Sequence, residues 1–118
     1  MSERSLVIGR FQPLHNGHKA LIQYLLDEGK DVLVAVRMTP QNEDNPYSFI
    51  ERTTMFKFAF PDEVDDGRIM IIPLPDISEV VYGRKVGWGI RQIELSAEIE
   101  SISGTRIRND LLDNRKQR

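Results

Sequence analysis

The residues Leu6-Val7-Ile8-Gly9-Arg10-Phe11-Gln12-Pro13-Leu14-His15-Asn16-Gly17-His18 set the architecture of this chain. An apolar run stops at a glycine, a short loop with one proline follows, and Ala20, Leu21, Tyr24 and Leu25 then recur at helical spacing. A buried strand turns sharply into a helix. Gly9 permits a tight strand exit, and Pro13 stiffens the loop. Asn16 is positioned to cap the helix, and Gly17 to let a ligand approach the backbone. His15 and His18 flank that glycine. Alone, such a pair is more often structural or incidental than functional. At a helix N-terminus it joins unpaired N–H groups and the positive end of the dipole, the physical basis of a phosphate site.

Outward from this turn, Ser5 to Ile8 read as the first strand, expected to be buried on both faces because the run does not alternate. The helical pattern runs from Lys19 to Leu26, and Gly29 stops it as a C-cap. Asp31 then opens Val32-Leu33-Val34-Ala35-Val36, a β-branched run typical of a central parallel strand. Strand, helix, strand is a right-handed βαβ unit, so the class is α/β with a Rossmann-like, doubly wound parallel sheet. Such sheets bind ligands at the C-terminal ends of their strands, where Gly9 to His18 fall. With 118 residues the chain has room for one small domain, taken as 1–118.

Met38 to Tyr47 is a polar loop long enough to act as a flap over the strand ends. Ser48 and Glu51 form a capping box, after which Phe49, Thr53, Phe56 and Phe60 share a helix face. Arg52 lies in the first turn, unfavourable for a cation unless an anion is near. It is equally readable as a surface arginine paired with Asp44 or Glu51. Pro61 to Gly67 reads as a solvated acidic loop, Ile69 to Ile72 as a third buried strand, and Pro73 to Ile77 as a stiff turn. Val80-Val81-Tyr82 reads as a short fourth strand leading into the loop Gly83 to Gly89, which carries Arg84, Lys85 and Trp88. Ile90 to Leu95 resembles a weak edge strand. A last helix starts at Ile102 with Ser103 as cap; Ile107 and Leu111 face inward, while Thr105 and Arg108 share a face near its N-terminus. Asn114 to Arg118 form a basic end that frays.

Composition narrows the class. A net charge of −2 gives no general reason for nucleic-acid binding. The absence of cysteine excludes disulfides, thiol catalysis and Cys-ligated zinc. The apolar runs are far short of the roughly 20 residues of a membrane helix, and the opening residues do not read as a signal peptide. A cytoplasmic enzyme or binding domain is expected.

Gly9 to His18 resembles the His-x-Gly-His signature of the nucleotidylyltransferase superfamily, and Gly9-Arg10-Phe11-Gln12-Pro13 is similar to its nicotinamide-mononucleotide adenylyltransferase branch. Ile102-Ser103-Gly104-Thr105-Arg106-Ile107-Arg108 matches a second motif, Ile-Ser-x-Thr-x-x-Arg. Asn45 to Arg52 fits a further segment, whose arginine faces the nucleotide in those proteins. Pro73 to Ile77 resembles archaeal-type members. The resemblance implies attack of an acceptor phosphate on the α-phosphorus of ATP, with release of pyrophosphate and no covalent intermediate. His15, His18 and Arg10 are then catalytic, and Gly9, Phe11, Gly17, Ser103, Thr105 and Arg108 bind the nucleotide. Arg52, Tyr82, Arg84, Lys85 and Trp88 face substrate, with Trp88 stacking on a base or serving only in packing. Mg2+ is implied as a cofactor bound through the triphosphate, without a protein metal site. The acceptor implied first is nicotinamide mononucleotide, and a homo-oligomer is expected. Cytidylyl transfer to a phosphorylated alcohol, or a non-catalytic nucleotide-binding regulatory domain, stands as the alternative. Between Ile77 and Ile102 the chain is much shorter than nicotinamide-specific relatives, which recognise acceptor and base there.

Overall fold

A computed structural model describes residues 4–81, 89–90 and 92–93. The order of elements is β1 (Arg4–Gly9), α1 (Asn16–Asp27), β2 (Asp31–Met38), α2 (Phe49–Ala59), α3 (Pro61–Asp65) and β3 (Ile69–Pro75). The strands form one parallel sheet in the order β1-β2-β3. Val7 lies beside Val34, and Val34 beside Ile71. Strands alternating with helices in this way bear out the Rossmann-like α/β class.

The alternation of side chains along a strand explains where the core lies. Val32, Val34, Val36 and Ile69 project to one face and pack with Ile22, Leu25 and Leu26 of α1 and with Phe56 and Phe60. Right-handed crossovers in a sheet wound steadily in one direction place both helical connections on that same face. The described residues thus supply one winding of the doubly wound pattern. Their other face is only partly covered: Ala35 is buried there, but Leu6, Ile8 and Met70 are 57%, 39% and 47% exposed. The first strand is therefore covered on one face only among the described residues, not on both, and its burial alternates.

Local chemistry sets the ends of the elements. α1 begins three residues earlier than the apolar pattern suggests, because His15, not Asn16, is its cap. It ends in a Schellman arrangement. Gly29, at φ +82°, donates its N–H to the carbonyl of Leu26, and the Lys30 N–H reaches that of Leu25. The capping box of α2 is present as expected, with Glu51 N–H on Ser48 Oγ and Ser48 N–H on the Glu51 carboxylate. The acidic stretch after Pro61 is a short helix, not a loop. Proline at the first helical position and Asp62 and Glu63 in the first turn suit its N-terminus.

β3 runs through Pro73 and Pro75, which the sequence suggests as a turn; they stand beside Val36 and Met38 of β2. Prolines two apart leave the same strand edge without N–H groups, so they are tolerated where that edge needs no ladder. Val80 and Val81 are exposed and outside any strand, contrary to a fourth strand there. A β-branched pair makes a strand only where a neighbour pairs with it, and none does among the described residues. Ile90, Gln92 and Ile93 are likewise not in a strand, although Ile93 packs against the core. Tyr82 at the end of the expected fourth strand, residues 83–88 of the expected loop, and the helix from Ile102 lie outside the described residues. No helix among those described is long and apolar enough to cross a membrane.

Candidate active site

The turn after β1 is built around a phenylalanine. Phe11 adopts a left-handed backbone, φ +51°, uncommon for a bulky residue. Its ring folds back over Gly9, where an added Cβ would come within 3.0 Å of Phe11 Cζ. The glycine thus makes room for an aromatic ring, while the unusual backbone angle falls on Phe11 itself. The buried ring meets Phe56 edge-on at 4.9 Å on one side and His18 at 4.8 Å on the other. Phe11 couples the imidazole directly to the core.

The histidines cap the helix reciprocally. His15 Nδ1 accepts the N–H of Gly17 at 3.1 Å, and His18 Nδ1 accepts the N–H of His15 at 3.3 Å. This is a capping box in which two imidazoles replace the usual hydroxyl and carboxylate. Their rings stack with centroids 3.7 Å apart. Because each Nδ1 accepts, each neutral ring carries its proton on Nε2. Burial lowers the pKa of His15. Burial, and secondarily the proximity of His15, brings that of His18 down from the ordinary 6.5 to about 4. At neutral pH the pair is uncharged and offers two Nε2–H donors beside the N-terminus of α1.

The loop between β2 and α2 locks this turn in place. Gln12 is buried and exchanges both amide hydrogen bonds with the backbone of Tyr47, each at 2.9 Å. Arg10 Nη1 donates to Asn45 Oδ1 at 3.4 Å. The polar loop after β2 is therefore pinned to the histidine turn near its end. Gln12 and Asn45 gained no site role from the sequence, since nothing in spacing announces a side-chain amide pairing with a distant backbone.

Arg52 sits beneath the turn, only 2% exposed. Its Nε donates to the carbonyl of Ser48 at 3.2 Å, and its Nη1 donates to the carbonyls of Arg10 at 2.9 Å and Arg37 at 2.8 Å. It is neither at the surface nor paired with Asp44 or Glu51. Carbonyl dipoles make a cation tolerable in the first turn of α2, and burial lowers its pKa without discharging a guanidinium. Arg52 therefore clamps the ends of β1 and β2 to α2 and leaves positive charge under the site.

Gly9, Arg10, Phe11, His15, Gly17, His18 and Arg52 are thus brought together at the carboxyl ends of β1 and β2. Tyr82, Arg84, Lys85, Trp88, Ser103, Thr105 and Arg108 lie outside the described residues. Among the described residues no three His, Cys, Asp or Glu side chains converge on a metal position. The groups that do converge are donors, suited to anionic oxygens.

A family model described as cytidylyltransferase-like matches residues 6–70, from β1 into β3. The chain belongs to this cytidylyltransferase-like family of nucleotidylyltransferases. Among its relatives, the nicotinamide-nucleotide adenylyltransferase of Thermococcus onnurineus is 32% identical over 80 residues, covering 66% of this chain and 43% of that protein. The nicotinamide-nucleotide adenylyltransferase of Aeropyrum pernix is 38% identical over 80 residues, covering 64% of this chain and 46% of its own length. The match thus spans less than half of either relative. A crystal structure of a bifunctional NMN adenylyltransferase/ADP ribose pyrophosphatase from Francisella tularensis, complexed with AMP and a manganese ion, superposes with a TM-score of 0.55. It is 36% identical, over 64% of this chain and 23% of that one. The histidine turn of this cytidylyltransferase-like protein lies inside the matched region.

Proposed function

We propose that this nucleotidylyltransferase-family protein transfers the adenylyl group of ATP to a phosphate monoester, with nicotinamide mononucleotide as acceptor and pyrophosphate as the second product. The observation that carries the reading is the reciprocal histidine cap, which engages both Nδ1 atoms and leaves the two neutral rings to donate through Nε2–H beside the N-terminus of α1. An oxygen of the acceptor phosphate forms a bond to the α-phosphorus as the bond from that phosphorus to the pyrophosphate oxygen breaks. No side chain need act as nucleophile. Catalysis then consists of alignment and of donors placed where charge develops. His18, held between Phe11 and His15, donates to the α-phosphoryl oxygens, and His15 to the departing pyrophosphate. Arg10 and the buried charge of Arg52 raise the local positive potential. Ser103, Thr105 and Arg108 hold the β- and γ-phosphates, and Tyr82, Arg84, Lys85 and Trp88 serve the acceptor and base.

The donor set fits Mg2+ held on the triphosphate oxygens, with no side-chain cage among the described residues. When bound there, the ion neutralises phosphate charge. Adenylyl over cytidylyl transfer is supported by the names of the relatives and by Arg10-Phe11-Gln12-Pro13 in the turn. A cytoplasmic homo-oligomer remains part of the proposal. Pyrophosphate release with Mg2+, crossing ATP and CTP against a panel of phosphate acceptors, tests it. Release with ATP and nicotinamide mononucleotide is expected. Release only with CTP would overturn the nucleotide, and none with any pair would favour a regulatory nucleotide-binding domain.

A further inference from the structure

A guanidinium with unused donors stands at the carboxyl end of β2, on the side of the sheet away from α1 and α2. Val36 belongs to the core face, so the alternation of the strand sends Arg37 to the opposite one. Arg37 Nη2 makes a single contact with Asp76 Oδ1, at 2.8 Å, just beyond β3. This is not the two-pronged pairing a carboxylate can give a guanidinium. Arg37 Nε is buried without a hydrogen-bond partner among the described residues, as is the hydroxyl of Thr39 two residues on. The side chains of Arg37 and Asp76 stay 35% and 55% exposed, so the pair is open to solvent and to ligand.

Its position relative to the histidines is fixed by the backbone. One nitrogen of Arg52 donates both to the carbonyl of Arg10 and to that of Arg37, so the two strand ends lie within two hydrogen-bond lengths of each other. The histidine donors and the α1 N-terminus lie on the helix-covered side. In an in-line displacement the attacking and leaving oxygens stand on opposite sides of the phosphorus. If pyrophosphate leaves toward α1, the acceptor phosphate approaches from the side away from that helix, and Arg37 lies on the sheet face away from α1.

We infer that Arg37 binds the phosphate of the acceptor, and that Asp76 is its internal competitor, holding the guanidinium until a phosphate displaces it. This rests on the adenylyl-transfer reading above and adds the residue that selects a phosphate monoester as acceptor. A phosphate dianion offers more acceptor oxygens and more charge than the single carboxylate oxygen it replaces.

The test is calorimetric titration of nicotinamide mononucleotide into protein saturated with α,β-methylene-ATP and Mg2+, for the wild type, Arg37→Ala, Arg37→Lys and Asp76→Asn. Arg37→Ala should weaken binding of the mononucleotide about 10- to 100-fold, as for a lost charged hydrogen bond. Arg37→Lys should fall between, because it keeps the charge but loses the fork. Asp76→Asn should tighten binding severalfold, and the ATP analogue should bind alike in all four. An ion pair that merely braces the strand ends predicts losses in the same direction from Arg37→Ala and Asp76→Asn, and that result overturns the assignment. So does a wild-type protein that binds no mononucleotide. Binding with the expected pattern but no pyrophosphate release from ATP would overturn the catalytic reading and leave Arg37 as the phosphate ligand.

Discussion

Replacing His18 by glutamine removes the more strongly shifted of the two titrating imidazoles at the start of α1 while leaving an acceptor where the capping box needs one. The wild-type ring is unusual because its Nδ1 already accepts the His15 N–H, and protonation there breaks the cap. Its pKa is about 4 in the folded protein against the ordinary 6.5. As pH falls below 6.5 the unfolded chain binds the proton first, so stability is fully present above 6.5 and drains away toward pH 4. The gap sets a ceiling of roughly 3 kcal/mol, and the partly solvated ring brings the expected loss to roughly 1–3 kcal/mol. Carboxylates titrate over part of the same range, so the quantity to measure is the difference between wild type and His18→Gln. Urea unfolding at several pH values from 7 to 4.5 gives it. The wild type should lose stability relative to the variant as pH falls. Parallel curves would refute the buried, accepting imidazole. With only two histidines in the chain, NMR titration of their ring signals is an independent check; a His18 midpoint near 6.5 contradicts the same reasoning.

Other perturbations probe the supports of the site. Gly9→Ala puts a methyl group 3.0 Å from the Phe11 ring, which cannot retreat because Phe56 backs it; a loss of about 1–3 kcal/mol in chemical denaturation is expected. Arg52→Met removes the side-chain donor from the carbonyls of Arg10 and Arg37, while that of Ser48 keeps the backbone N–H of residue 52, and should cost about 2–4 kcal/mol. Arg52→Lys should recover only part of it, and wild-type stability in either would remove the clamp. Arg108→Ala should weaken ATP binding about tenfold in a direct titration, the loss of one charged hydrogen bond; unchanged affinity would place that arginine outside the site.

Much of this architecture is legible because it rests on local rules. Leu6 to Gly9 followed by a histidine-flanked helix start, the Val32–Val36 run, Gly29 and the Ser48–Glu51 box each declare an element through neighbours in sequence. What stays hidden depends on partners far along the chain. The two amide hydrogen bonds of Gln12 to Tyr47 and the bond of Arg52 to the Arg10 carbonyl cross 35 and 42 residues, and no spacing reveals them. The exposure of Leu6 and Ile8 is invisible for a related reason. An apolar run says that burial is favourable, not which elements are available to supply it. Pro73 and Pro75 mislead in the other direction, since prolines read as turn residues until the strand is known to be an edge strand among the described residues. At the site, sequence identifies His15 and His18, whereas their reciprocal capping, and with it the side of each ring left to donate, emerges only from the folded turn.

The central claim is that the double-histidine cap presents neutral donors to a nucleoside triphosphate during adenylyl transfer. Its most direct test is the rate of pyrophosphate release from ATP and nicotinamide mononucleotide with Mg2+, wild type beside His18→Ala. Turnover by the wild type and a fall of about 100- to 1,000-fold in the variant, the scale of one lost transition-state donor, is the predicted result. Equal rates in the two proteins would contradict the account.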